Sequence, residues 1–121
     1  MQLGAMNLLQ PPRPVRFTLF AAACAAVLWV TLIPADEVPQ TGIWDKFEHF
    51  IAYAVLALLG AWALQKGLVR LAIGLILMGV GVEVLQTLMH VGRQGDIRDA
   101  LANSLGVATG IGLARIAGGR R

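Results

Sequence analysis

LAIGLILMGVGVEVLQTLMHV, residues 71–91, is apolar from end to end except for Glu83, Gln86, Thr87 and His90. A helix that crosses a bilayer needs roughly 17 to 25 mostly apolar residues, each adding about 1.5 Å, and this stretch meets that length. A carboxylate at membrane depth is costly and faces the interior of a bundle rather than lipid, where it marks a functional site by default. Gln86 and His90 follow Glu83 by one and two helical turns, so the three share a face. The stretch therefore predicts a membrane-spanning helix with one polar face turned toward partner helices.

Three further apolar runs surround it, Phe17–Ile33, Phe47–Leu64 and Ala100–Ala117. They show no period-two alternation and are rich in Ala, Leu and Gly, which excludes strands. The chain has 121 residues, 57% hydrophobic and only 14% charged, where a soluble domain carries about a quarter charged residues. Pro11, Pro12, Pro14, Pro34 and Pro39 all fall outside the runs, as helix-breaking residues should. The connections are short, so neighbouring helices are antiparallel. The expectation is an all-α integral membrane bundle of four helices, at about 17–33, 47–64, 71–91 and 100–117. They form one domain over 17–117, between an N-terminal tail at 1–16 and a basic tail at 118–121. A cleaved signal peptide is the rival reading of the first run, but no small-x-small site follows Ile33. Cys24, the single cysteine, excludes an intrachain disulfide and reads as a small packed side chain.

Charge orients the bundle. Arg13, Arg16, Lys66, Arg70, Arg115, Arg120 and Arg121 fall on one side of a four-span topology, and Lys46, Arg93 and Arg98 on the other. The basic excess belongs in the cytoplasm, so both termini are expected there. The net charge of +3 follows from this orientation. No basic face with interleaved aromatics suggests nucleic-acid binding. Asp36, Glu37, Asp45, Glu48, Asp96 and Asp99 all lie at the opposite, outer surface. Glu83 is also nearer that side, about 12 Å from Val91 against about 18 Å from Leu71.

Three helices bring polar groups to the outer end. The second offers Asp45, His49 and Tyr53 at steps of four; the third offers Glu83, Gln86 and His90; the turn and fourth helix offer Arg93, Asp96, Arg98, Asp99 and Asn103. Asn103 shares its face with Gly106 and Gly110, a GxxxG spacing that admits a close neighbour, either another helix of the bundle or a second copy in a homo-oligomer. Part of the set has a structural explanation. Asp45 with Glu48 and Asp96 with Asp99 match capping boxes with Asp as the cap. Trp29, Trp44, Trp62 and Tyr53 read as interface anchors and packing groups. Capping does not explain Glu83, Gln86, His49, His90 or Asn103, which fall within helices. Interhelical hydrogen bonding is the structural reading, but an amide would serve that end without burying a charge, so Glu83 is expected to pair with Arg93, Arg98 or Lys46.

The chemistry open to such a pocket is narrow. No compact metal motif is present, and neither metal nor cofactor is expected. Ser104 lacks the Gly-x-Ser-x-Gly setting of a hydrolase nucleophile. Arg93, Arg98 and Lys46 converge with two helix N-termini, a combination suited to phosphate. Binding or shielding an anionic lipid or lipid-linked envelope component is the first reading. The alternatives are a membrane-embedded enzyme acting on a lipid head group, and a small proton-coupled multidrug exporter; such exporters place their key acid in the first helix, where this chain has none.

The stretch Trp44-Asp45-Lys46-Phe47-Glu48-His49-Phe50-Ile51-Ala52-Tyr53 resembles the signature that opens the VanZ-like family. The resemblance continues through Glu83-x-x-Gln86, Gly92-Arg93, Asp96, Asp99, Ala102-Asn103 and Gly106-x-x-x-Gly110, from Asp45 to Gly110, over half the chain. Val91 stands where the pattern has proline, a departure that concerns the turn. The resemblance implies an integral membrane protein of the cell envelope; the family's namesake is associated with resistance to the glycopeptide teicoplanin. It implies Asp45, Lys46, His49, Glu83, Gln86, Arg93, Asp99 and Asn103 as the functional set, to which the phosphate reading adds Arg98. It supplies no reaction.

Overall fold

The computed structural model describes residues 10–37, 42–89 and 95–118. Four helices account for most of them: α1 (Arg13–Leu32), α2 (Asp45–Leu64), α3 (Leu68–Met89) and α4 (Ile97–Gly118), with one short 3-10 turn at Ala35–Glu37 and no strand among the described residues. Each helix is long and apolar enough to cross a membrane. The all-helical, four-span architecture read from the apolar runs is the one observed.

Helix α1 opens at Arg13, so Pro14 lies inside its first turn rather than outside the helix. The correction has a simple cause: an amide in the first turn has no intrahelical partner to lose, and proline's fixed φ suits the position. Helix α4 likewise starts at Ile97, ahead of its apolar run, and this places Arg98 and Asp99 in its first turn.

The centre of the bundle is the crossing of α2 and α4, the most extensive helix contact. It is close because α4 has no side chains there: a Cβ on Gly106 would collide with the carbonyl oxygen of Phe50, and one on Gly110 would lie 2.5 Å from that of Ala54. The GxxxG face thus packs within the chain, against α2, and is not exposed as a seam for a second copy. Tyr53, Leu56 and Ala57 of α2, Leu71 and Leu75 of α3, and Val107 and Ile111 of α4 form the buried core, with Phe20, Cys24 and Val27 of α1 against its side. Large aliphatic groups such as Ile73, Leu77, Leu88, Leu105 and Ile116 are exposed, as befits helix faces whose surroundings are hydrocarbon rather than water. Each described carboxylate lies near one end of the bundle, the end where α1 finishes and α2 and α4 begin.

Candidate functional site

The site is built on the first turn of α4. Asp96 is its N-cap: Oδ1 accepts the backbone N–H of Arg98 at 2.9 Å, satisfying one of the amides that a helix start leaves unpaired. In a capping box the residue three positions on, here Asp99, would reach back to the amide of the cap. Instead, Glu83 of α3 supplies that acceptor, with Oε2 2.8 Å from the backbone N of Asp96. Beside it Gly95 donates its N–H to Thr87 Oγ1 at 3.0 Å, and Thr87 donates to the carbonyl of Glu83 at 3.1 Å. The approach is close enough that a Cβ on Gly95 would overlap both Thr87 Oγ1 and the Glu83 carbonyl. Glu83 is therefore an acceptor for backbone, with no ion pair to Lys46 or Arg98. Its side chain is 7% exposed.

Asp99, released from capping, turns to α2. Its Oδ1 lies 2.5 Å from Lys46 Nζ, which also stands 3.3 Å from Asp96 Oδ2 and 3.4 Å from Asp45 Oδ2. One ammonium is thus shared by three carboxylates from two helices. Arg98, largely exposed, reaches Asp96 Oδ2 at 3.4 Å. The backbone N–H of Arg98, then the Lys46 and Arg98 side chains, hold the Asp96 carboxyl below its ordinary range despite partial desolvation. Asp45 is not the N-cap expected from its spacing with Glu48. Trp44 occupies that position and makes no side-chain cap bond, so the Asp45 carboxylate, 65% exposed, is left to Lys46 and His49.

His49 sits one turn below. Its Nδ1 is 3.0 Å from Asn103 Oδ1, a contact in which Nδ1 donates when it carries the ring proton. Nε2 then faces Asp45 Oδ1 and Asp99 Oδ2, each at 3.7 Å. One ligand atom from each of Asp45, His49 and Asp99 lies within 4.8 Å of the others, and these are the residues that could hold a divalent cation. Lys46 already brings positive charge to the same carboxylates. Ser104 does not join the site: its hydroxyl donates to the carbonyl of Ala100 in its own helix at 2.9 Å.

Deeper in the bundle, Gln86 donates from Nε2 to the carbonyl of Thr31 at 2.7 Å, tying α3 to the last turn of α1. Tyr53 OH, Glu83 Oε1 and Asn103 Nδ2 are buried without a hydrogen bond. Tyr53 is 1% exposed, so of the anchoring and packing roles expected for the aromatics it takes the packing one, in the core. Of the residues expected from sequence, the structure brings together Asp45, Lys46, His49, Asp99 and Asn103, attaches Arg98 and Glu83 through Asp96, and sets Gln86 apart against α1. Arg93 and His90 lie outside the described residues. Sequence reasoning placed Asp96 in the polar set and in a capping box but not among the functional residues, and gave no role to Thr87 or Thr31. Asp96 carried a signal, its place in both a capping box and a charge cluster; a threonine one turn after a buried acid carries none.

A bundle of four apolar helices with carboxylates, an ammonium, imidazole and amides gathered at one end defines a small multi-pass membrane protein with a buried polar site. The chain belongs to the VanZ-like family, matching the family described as VanZ/LLP1 over residues 9–118. No curated protein and no solved structure matches it.

Proposed function

We propose that this VanZ-family protein lies in the cytoplasmic membrane of a bacterium, termini inside, and binds the phosphate-bearing head group of a lipid or lipid-linked envelope component at its outward polar end. The observation that carries this is the sharing of Lys46 among Asp45, Asp96 and Asp99. A cation held by several acceptors can exchange one for an incoming oxyanion and remain paired, and the exposed carboxylate of Asp45 is the one free to leave. Arg98 and the first turn of α4 stand beside it, where a phosphate meets a guanidinium fork and the positive end of a helix. The cluster is rich in acid, so binding proceeds by exchange of partners rather than by filling a ready-made anion hole. A role in glycopeptide resistance follows if the bound component is one that the antibiotic encounters.

Native mass spectrometry in mild detergent, with a polyprenyl phosphate added, tests the reading. Wild type is expected to carry the adduct and Lys46→Gln to lose it. Equal retention by both would remove the proposal.

The setting of His49 favours a second reading. An imidazole held at Nδ1 by Asn103, with Nε2 beside the exposed carboxylate of Asp45, is placed to move a proton at the mouth of the cluster. An enzyme acting on a lipid head group predicts product release that His49→Gln abolishes while the adduct persists.

A further inference from the structure

The opposite end of the bundle holds a cavity of about 610 Å³, lined by Leu58 and Trp62 of α2, Leu68 of α3, and Ala114, Ala117 and Arg115 of α4. It arises where the close crossing ends. Past Ile111, the last core residue of α4, the lining that α4 supplies is Ala114, Ala117 and Gly118, all small, with Arg115 beside them. Apart from Gln65 and Arg115 the lining is apolar, and in a bilayer the available filling of its apolar part is hydrocarbon.

The charge around this cavity has one sign. Arg115 lines it, and Lys66 and Arg70 are exposed on the connection to α3 and in its first turn. No described residue forms an ion pair with any of the three, and the described carboxylates lie at the other end. Arg115 also sits in the last turn of α4, where a cation complements the helix dipole; that role accounts for its charge but not for the cavity beneath it.

We infer that this cavity is a binding site for an anionic phospholipid, with an acyl chain between α2 and α4 and the phosphate at Arg115. The inference does not depend on the reading of the polar cluster, because the two ends share no residue.

The test uses the full chain reconstituted in vesicles of equimolar phosphatidylglycerol and phosphatidylcholine, transferred to mild detergent and weighed intact. One basic group near a lipid phosphate corresponds to about a fivefold preference for the anionic lipid, which wild type should show among its retained lipids. Arg115→Gln should bring the two lipids to parity while a lipid is still carried. Ala117→Trp, which places an indole in the cavity, should remove adducts of both kinds with the thermal transition unchanged. Gly112→Ala, where an added Cβ meets nothing within 4 Å, should alter none of this. A phosphatidylglycerol preference that survives Arg115→Gln, or adducts that survive Ala117→Trp, would overturn the assignment.

Discussion

Glu83 completes a helix to which it does not belong: its Oε2 accepts the backbone N–H of Asp96, the N-cap of α4, at 2.8 Å. A buried carboxylate in a membrane helix invites a search for a buried cation, and here the partner is an amide. The bond fixes the entry of α4 against α3 and frees Asp99 to hold Lys46. Structure and charge cluster are thus linked through one side chain.

That linkage predicts how substitutions at Glu83 divide. Glu83→Gln keeps a carbonyl acceptor for the Asp96 amide and should fold with a transition near that of wild type. Glu83→Ala strands a buried donor, a loss of about 1–3 kcal/mol, and should lower the unfolding temperature in detergent. If the two variants unfold alike, the amide contact is not what Glu83 contributes.

Lys46 and Asp99 form the tightest pair in the cluster, and Asp99 is buried. Removing one partner of a buried ion pair costs about 3–5 kcal/mol, and the partial exposure of Lys46 sets the expectation at the low end of that range. Lys46→Met should therefore destabilise clearly, and Asp99→Asn in the same chain should restore part of the loss. Additive effects in this double-mutant cycle would show that the two charges do not interact.

The α2–α4 crossing gives a sharper contrast. A side chain on Gly106 collides with backbone, which cannot move aside as a rotamer can, so Gly106→Val should prevent folding. Gly112, where an added Cβ meets nothing within 4 Å, should accept alanine with no loss. The measurement is the yield of monodisperse protein after detergent extraction, and comparable yields for both variants would contradict the close crossing.

Asp96 predicts a pH dependence. Its carboxyl is held below the ordinary value of 3.8 in the folded state, first by the Arg98 amide. A depressed carboxyl stabilises the fold above its unfolded pKa, and that contribution fades as pH falls from there through the lowered folded pKa. Asp96→Asn retains the cap and removes the titration. Thermal melts of wild type should lose stability on acidification below about pH 4 more steeply than those of Asp96→Asn; parallel curves would exclude Asp96 as a source.

Much of this was legible in the sequence. Helix number followed from apolar run length, and the inward faces followed from single polar residues at helical spacing: Glu83, Gln86, Asp99 and Asn103 are all buried. The capping roles were legible only in part, because spacing identifies a local partner while the fold can supply a distant one. Asp96 caps as its spacing says, yet its own amide goes to a residue of another helix, and Asp45 yields its expected cap position to Trp44. Tyr53 illustrates the same limit. Its spacing from His49 placed it on the right face, but its depth depended on how closely two glycines let α4 approach.

The order in which the helices are made gives the glycine crossing a further meaning. Helix α2 meets its principal partner only after α3 and most of α4 have been synthesised, so it must wait in the membrane with its polar residues uncovered. Lys46, beside Asp45 in its own helix, enters that interval already partly neutralised, and its remaining carboxylate partners, Asp96 and Asp99, arrive with α4.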